Sequence, residues 1–134
     1  MTKKDLTQHN PSLKNQAFAK YFEVENLLQE FASKLATELV AHKNVEPFYE
    51  LGFKVNAGQQ FKIGLRLTNY PFHDVLVRAY VPDDGYPVTL NYVGKELAVS
   101  SETELIEHLY DTIPTNEDVL SRLRGILAIA DNKP

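Results

Sequence analysis

The chain has no cysteine among its 134 residues. Disulfides, thiolate nucleophiles and cysteine zinc sites are therefore excluded, and cysteine usage gives no indication of the redox compartment. Excess positive charge is also missing, because the formal net charge is −4 at pH 7. A chain of this charge does not attract nucleic acid or an anionic membrane as a whole. Binding to such partners would require a local basic patch.

Long apolar runs are missing as well. No stretch approaches the ~18 apolar residues of a membrane-spanning helix. Lys3 and Lys4 are not followed by the apolar segment of a signal peptide. We therefore expect a cytoplasmic protein without membrane contact. Residues 1–10 predict a disordered polar tail, and residues 11–134 predict one α+β domain, a size that a single core supports.

Catalytic motifs are missing too: the sequence has no GxSxG elbow, no Walker or GxGxxG loop and no HExxH pair. We therefore lean away from an enzyme, and we expect no catalytic residue, no cofactor and no metal. Glu104, His108 and Asp111 share a helical face, but a metal site needs ligands from a second element, so a solvated face is favoured. We interpret His73-Asp74 as part of a turn.

The hydrophobic pattern first has the period of a helix. Asn10 and Pro11 predict its start, and it runs to about His42. The apolar face that predicts core burial consists of Ala17, Tyr21, Val24, Leu28, Phe31, Ala32, Leu35 and Leu39. About 30 helical residues span roughly 45 Å, whereas five strands span about 20 to 25 Å. The helix is therefore expected to extend beyond its own sheet.

From Phe48 to Ser100 the period changes to two, which predicts five strands. Their inward residues are Tyr49, Leu51, Phe53, Val55, Phe61, Ile63, Leu65, Leu67, Val75, Val77, Ala79, Val81, Val88, Leu90, Tyr92, Leu97 and Val99. Short connections favour antiparallel neighbours. In the predicted register Val55 pairs with Phe61, Leu67 pairs with Val75, and Gly52 faces Gly64 on the outer side.

Two helices are predicted after the strands. Ser101 and Glu104 fit a capping box for the first, which Pro114 ends, and Thr115 with Asp118 opens the second. The predicted fold class is a two-layer α+β sandwich: a long N-terminal helix, a five-stranded antiparallel meander sheet and two C-terminal helices, in the order αβββββαα.

The first helix carries more apolar surface than one sheet contact needs. The residues proposed to bind a partner are Phe18, Phe22, Leu27 and Val40 on the helix flank, with Tyr70 and Phe72 in a loop. We favour a non-enzymatic protein–protein interaction module whose partner is another protein or itself, as a homodimer. Small acidic domains of this kind include adaptors, secretion chaperones and immunity or antitoxin proteins, an analogy of fold alone.

Two alternatives remain open. The outer sheet face groups basic residues with an aromatic ring, as nucleic-acid or anion binding requires, namely Lys54, Lys62, Arg66, Arg78 and Tyr80. A solvated sheet face explains the same residues, and is favoured. The second alternative is a small apolar ligand bound between helix and sheet, because the inward residues are almost all apolar.

Overall fold

The computed structural model describes residues 18–54 and 57–132. The element order αβββββαα is confirmed. The elements are α1 (Ala19–Lys34, continued by a π-helical turn, Leu35–Val40), β1 (Val45–Lys54), β2 (Gly58–Leu67), β3 (His73–Pro82), β4 (Val88–Tyr92), β5 (Lys95–Val99), α2 (Glu102–Glu107, continued by a π-helical turn, His108–Thr112) and α3 (Glu117–Asn132). The predicted polar tail and the helix start at Asn10 and Pro11 lie outside the described residues.

The five strands form one antiparallel meander in the order β1-β2-β3-β4-β5. Ile63, Val77 and Leu90 on the three central strands are fully buried. The same core includes Phe31 of α1 and Ile126 of α3, so both helices contribute to it. Apolar burial on one face of the sheet is the main stabilising term of this layout.

The predicted pairing of the first hairpin is wrong. Phe61 lies opposite Leu51, whereas Val55, its predicted partner, is outside the described residues. The strand begins at Val45 instead of Phe48, and the pairing shifts by one residue after Leu51. Alternation identifies the face of each residue but not the length of the connecting loop, so it could not determine this register.

The predicted facing pair of glycines does not form. Gly64 lies opposite Phe48, and a Cβ on Gly52 would collide with the side chain of Gln60. A Cβ on Gly64 would collide with the carbonyl oxygen of Asp74 on β3. Glycine at position 64 is therefore explained by the close approach of a neighbouring backbone.

The second hairpin also departs from the predicted register. Val75 lies opposite Gly64, and on the side of β3 the Leu67 N–H donates to the Phe72 carbonyl (3.0 Å) instead of pairing with Val75. A bulge after Ile63 inserts one residue into β3. A bulge adds one unpaired residue, so it changes the register without changing the alternation on either side.

One part of the predicted interior is exposed. Leu51 is 57% exposed and Phe53 is 75% exposed, although the alternating pattern placed both inside. The side-chain amide of Gln59 donates to the carbonyls of Gly52 (3.1 Å) and Phe53 (3.3 Å) at the point where the register of β1 shifts. Gly52 and Phe53 thus lie in an irregular part of the ladder, and Lys54 pairs again with Gln59.

The predicted N-cap of α2 is confirmed, because Ser101 Oγ accepts a hydrogen bond from the Glu104 backbone N–H (3.2 Å). The reciprocal bond of the capping box is displaced by one residue, since Glu104 Oε1 accepts from the Ser100 N–H (2.8 Å) instead of from that of Ser101. The start of α3 differs from the prediction, because the side-chain oxygen of Asn116 accepts from the N–H groups of Asp118 and Val119. Asparagine is among the preferred N-cap residues.

Candidate protein-interaction surface

A shallow apolar groove separates the C-terminal part of α1 from α2. Its volume is about 100 Å³. The side chains that line it are Phe31, Lys34, Leu35, Glu38, Leu39, Leu109, Tyr110 and Pro114. We call this surface the α1–α2 groove.

Both helices change their hydrogen bonding where they form the groove. Ala41 N–H donates to the Ala36 carbonyl (3.0 Å), and Ile113 N–H donates to the His108 carbonyl (2.9 Å). Each bond joins residue i to residue i−5, whereas an α-helical bond joins residue i to residue i−4. Such π-helical turns are rare and frequently occur at functional sites. Two of them line one surface here.

The π-helical turn in α1 determines which side chain reaches the groove. The α-helical period predicted a buried Leu39 and a flanking Val40, yet Leu39 is 40% exposed and Val40 is 8% exposed. Because the turn contains an extra residue, the apolar face after Leu35 is displaced by one position. Leu39 is therefore exposed in the groove, although sequence reasoning assigned it to the core.

The polar contacts of the groove centre on Tyr110. Its hydroxyl donates to Glu30 Oε1 (3.2 Å), and its ring packs edge-on against Phe31, with centroids 6.2 Å apart. The Lys34 ammonium lies 5.9 Å from the ring centroid and 3.5 Å from Glu38 Oε2. The pKa of Tyr110 is raised to about 12, mainly by burial and then by the negative charge of Glu30. Tyr110 is therefore a neutral hydrogen-bond donor at physiological pH.

The residues predicted to bind a partner lie at different places. Phe22 and Tyr70 are each 41% exposed. Phe18, Leu27 and Phe72 are half-buried, and Leu27 and Phe72 pack against the core. Val40 is buried within the chain, so this conformation does not present it to a partner. The predicted set therefore does not form one continuous surface.

Phe22 belongs to a second apolar region at the start of α1. Its ring centroid is 5.6 Å from that of Tyr21, whose centroid is 6.3 Å from that of Phe61. Phe61 in turn lies opposite Leu51. Phe22 and the exposed Leu51 are thus at the same end of the sheet, away from the α1–α2 groove.

Salt bridges partly neutralise the outer sheet face. Arg66 pairs with Glu46, and the Lys62 ammonium is 3.9 Å from a carboxylate oxygen of Glu50. This differs from the predicted register, which placed Glu50 beside Arg66. The local charge is therefore lower than the number of basic residues indicates.

The other three residues proposed to bind anions are Lys54, Arg78 and Tyr80. Arg78 and Tyr80 line a polar depression of about 170 Å³ together with Glu96. Lys54 and Arg78 are both exposed. Within residues 18–54 and 57–132, no ion pair is present for either cation.

His73, Asp74 and Glu104, which were considered above as possible metal ligands, have structural contacts. The His73 ring stacks on Phe48, with centroids 4.6 Å apart. Asp74 lies in β3, not in a turn as predicted, and binds Arg122 of α3. Glu104, considered above as a metal ligand, is used in the capping box. In the described part of the chain, no cluster of three potential metal ligands is present.

His42 connects the end of α1 to the end of α3. Its Nδ1 accepts the Asn44 backbone N–H (3.0 Å), so Nε2 carries the proton and donates to Asp131 Oδ1 (2.7 Å). Both ring nitrogens are therefore engaged in structural hydrogen bonds. This arrangement leaves neither nitrogen free to act as a general base.

Fold and surface together define a two-layer α+β domain with a one-sided antiparallel sheet and an apolar groove between its helices. No known protein family matches the chain, and no curated protein or solved structure is similar to it. Within residues 18–54 and 57–132, no helix combines the length and the apolar character needed to cross a membrane.

Proposed function

We propose that the protein is a non-enzymatic protein–protein interaction module that uses the α1–α2 groove to bind an apolar side chain of its partner. The observation that carries the proposal is the 40% exposure of Leu39 in a groove lined by two π-helical turns. The partner is another protein or a second copy of the chain.

The shape of the groove supports a protein partner over a small molecule. At about 100 Å³ it is smaller than the roughly 300 to 1,000 Å³ of typical ligand pockets. Apart from Lys34 and Glu38, it is lined by aromatic and aliphatic groups, as surfaces that accept one anchor side chain are. An amphipathic segment can place such an anchor between Leu39 and Tyr110.

The alternative of an apolar ligand between helix and sheet has less support. Leu28 and Phe31 of α1 and Ile63 of β2 are at most 1% exposed, which indicates that side chains fill this interface. A ligand would have to displace packed groups, and changes of core volume by even one methylene are costly.

Nucleic-acid or anion binding on the outer sheet face also has less support. Glu46 and Glu50 neutralise Arg66 and Lys62, two of the four proposed cations. A titration of the protein with labelled single-stranded DNA at low salt tests this alternative. Binding that weakens steeply with salt and is lost in the Lys62→Glu/Arg78→Glu variant would favour it over the groove.

Site-specific cross-linking tests the proposed function. A photoreactive amino acid at position 39 should cross-link a defined protein in cells of the source organism, whereas the same group at position 37 should not. Leu39 and Thr37 both lie in the π-helical turn and both are exposed, but the groove includes Leu39 and not Thr37.

The cross-linked protein is then purified and its affinity for the chain is measured by calorimetry. Leu39→Ser should weaken binding about tenfold or more, because the apolar contact of the leucine is lost. Thr37→Ser is the matched control and should leave binding unchanged. Equal cross-linking at both positions, or equal affinity of Leu39→Ser and wild type, contradicts the proposal.

A further inference from the structure

The rim of the α1–α2 groove is mainly acidic. Glu38 lines the groove, and Glu30 accepts a hydrogen bond from the Tyr110 hydroxyl. Lys34 is the opposing cation in the lining. Two carboxylates against one ammonium leave the surroundings of Tyr110 negative, in a protein whose formal charge is itself −4.

The groove already holds a cation of its own chain. The Lys34 ammonium lies over the Tyr110 ring at 5.9 Å and near Glu38 at 3.5 Å. A ring face beside carboxylates attracts cations through the ring quadrupole and through charge. The side chains of Lys34 and Glu38 are 42% and 64% exposed, so both charges are accessible from solvent.

From these contacts we infer that the partner segment is a cationic amphipathic one, with a leucine-like anchor between Leu39 and Tyr110 and flanking lysine or arginine residues against Glu30 and Glu38. The inference rests on the proposed function and adds the chemistry of the partner. Helix-in-groove recognition supplies the apolar part of the affinity, and the rim charges supply orientation and association rate.

A peptide titration tests the inference. The probe is a fluorescein-labelled amphipathic peptide of leucine and lysine, and its counterpart replaces every lysine with glutamate. At low salt we expect the full chain to bind the lysine peptide at least about tenfold more tightly than the glutamate peptide. Raising the salt concentration should reduce this ratio, because exposed charges are screened.

Two pairs of variants locate the binding. Glu30→Gln/Glu38→Gln should weaken lysine-peptide binding about threefold to tenfold, since each exposed charge pair contributes modestly. Asp84→Asn/Glu96→Gln removes two exposed acids outside the groove and should have no effect. Leu39→Ser should cost about tenfold, whereas Leu51→Ser, at a more exposed leucine elsewhere, should cost nothing.

Several results would overturn the inference: no preference for the lysine peptide, equal losses from both acid-neutralising variants, or equal losses from both leucine variants. Equal losses would mean that the overall negative charge or any exposed leucine is sufficient. If the partner cross-linked at position 39 inserts a segment without cationic residues, the proposed function stands and this inference fails. If nothing is cross-linked at position 39, the proposed function fails, and the inference that rests on it fails with it.

Discussion

Phe61 and Phe53 lie on the two strands of one hairpin, and the same alternating pattern predicted that both would face the interior. Phe61 is fully buried, whereas Phe53 is 75% exposed. The rings of Tyr21 and Tyr49 pack on Phe61, with centroids 6.3 and 5.6 Å away. Phe53 follows the point where the register of β1 shifts, and no ring within the described residues packs on it.

The difference shows what alternation measures. It identifies which side of a strand a residue occupies, but burial also requires another element to cover that side. Leu51 lies opposite the buried Phe61 and is still 57% exposed, whereas Phe53 follows an inserted residue that interrupts the alternation. The sequence pattern of a strand therefore overestimates the core wherever a covering element is missing or an inserted residue interrupts the ladder.

The largest expected effect comes from substituting these two phenylalanines. Phe61→Ala should lower the free energy of unfolding by about 3 to 5 kcal/mol, because it leaves a cavity in a packed core. Phe53→Ala should change it by about 0.5 kcal/mol or less. Urea denaturation followed by circular dichroism measures both. If Phe61→Ala does not fold, the milder Phe61→Leu provides the value, and equal losses at positions 61 and 53 would contradict the comparison.

A smaller effect on stability is expected at the start of β3, where a side chain of α3 binds the strand. Arg122 of α3 donates to both carboxylate oxygens of Asp74 and to the Val75 carbonyl. Arg122→Ala should cost about 1 to 2 kcal/mol of stability, as hydrogen bonds to charged groups do.

The control for Arg122 is Arg66→Ala on the open outer face, where the salt bridge to Glu46 should be worth less than about 1 kcal/mol. A double-mutant cycle with Asp74→Ala isolates the energy of the pair. A coupling energy near zero for Asp74 and Arg122 would show that this contact does not hold α3 against the sheet.

The end of α1 allows a change in the opposite direction. Ala41 has a left-handed backbone, φ 49° and ψ 51°, where glycine carries no Cβ penalty. Ala41→Gly should therefore stabilise the protein by about 0.5 to 1 kcal/mol. Ala128→Gly, at an exposed site inside α3, should destabilise it by about 1 kcal/mol. Thermal denaturation of both variants tests the signs, and a destabilising Ala41→Gly would be the contrary outcome.

The smallest effects concern tyrosines that are partly covered, between the extremes of Phe61 and Phe53. Burial raises the pKa of Tyr110 to about 12, with Glu30 as the next cause. The pKa of Tyr86 is also raised to about 12, mainly by burial and then by the negative charges of Glu23 and Glu102. For both tyrosines the pKa in the folded state exceeds the unfolded value of 10.0. The stability that their neutral phenols contribute is therefore fully present below pH 10 and is lost as pH rises towards 12.

The measurement is urea denaturation at several pH values between 9 and 12. Tyr110→Phe should lose less stability over this range than wild type, because the substituted ring cannot ionise. Tyr70→Phe removes an exposed phenol and serves as the matched control. Identical pH profiles for Tyr110→Phe and wild type would contradict the assignment.

The groove was only partly predictable from sequence. Helical periodicity identified α1 and its apolar face, and the capping box located α2, so both walls of the groove were expected. The exposure of Leu39 was not, because the period of an α-helix assigns it to the core and assigns Val40 to the flank. A π-helical turn reverses the two, and nothing in the local pattern signals that turn.

The sequence by itself determined the α+β class, the order of the elements and the inward face of most strand residues, because hydrophobic spacing and caps act between residues close in the chain. Tertiary structure alone decided the strand registers, the bulge opposite Gly64, the open end of β1 and the two π-helical turns. These features depend on how distant elements pack, since one inserted residue displaces a whole apolar face while the sequence pattern on either side stays the same.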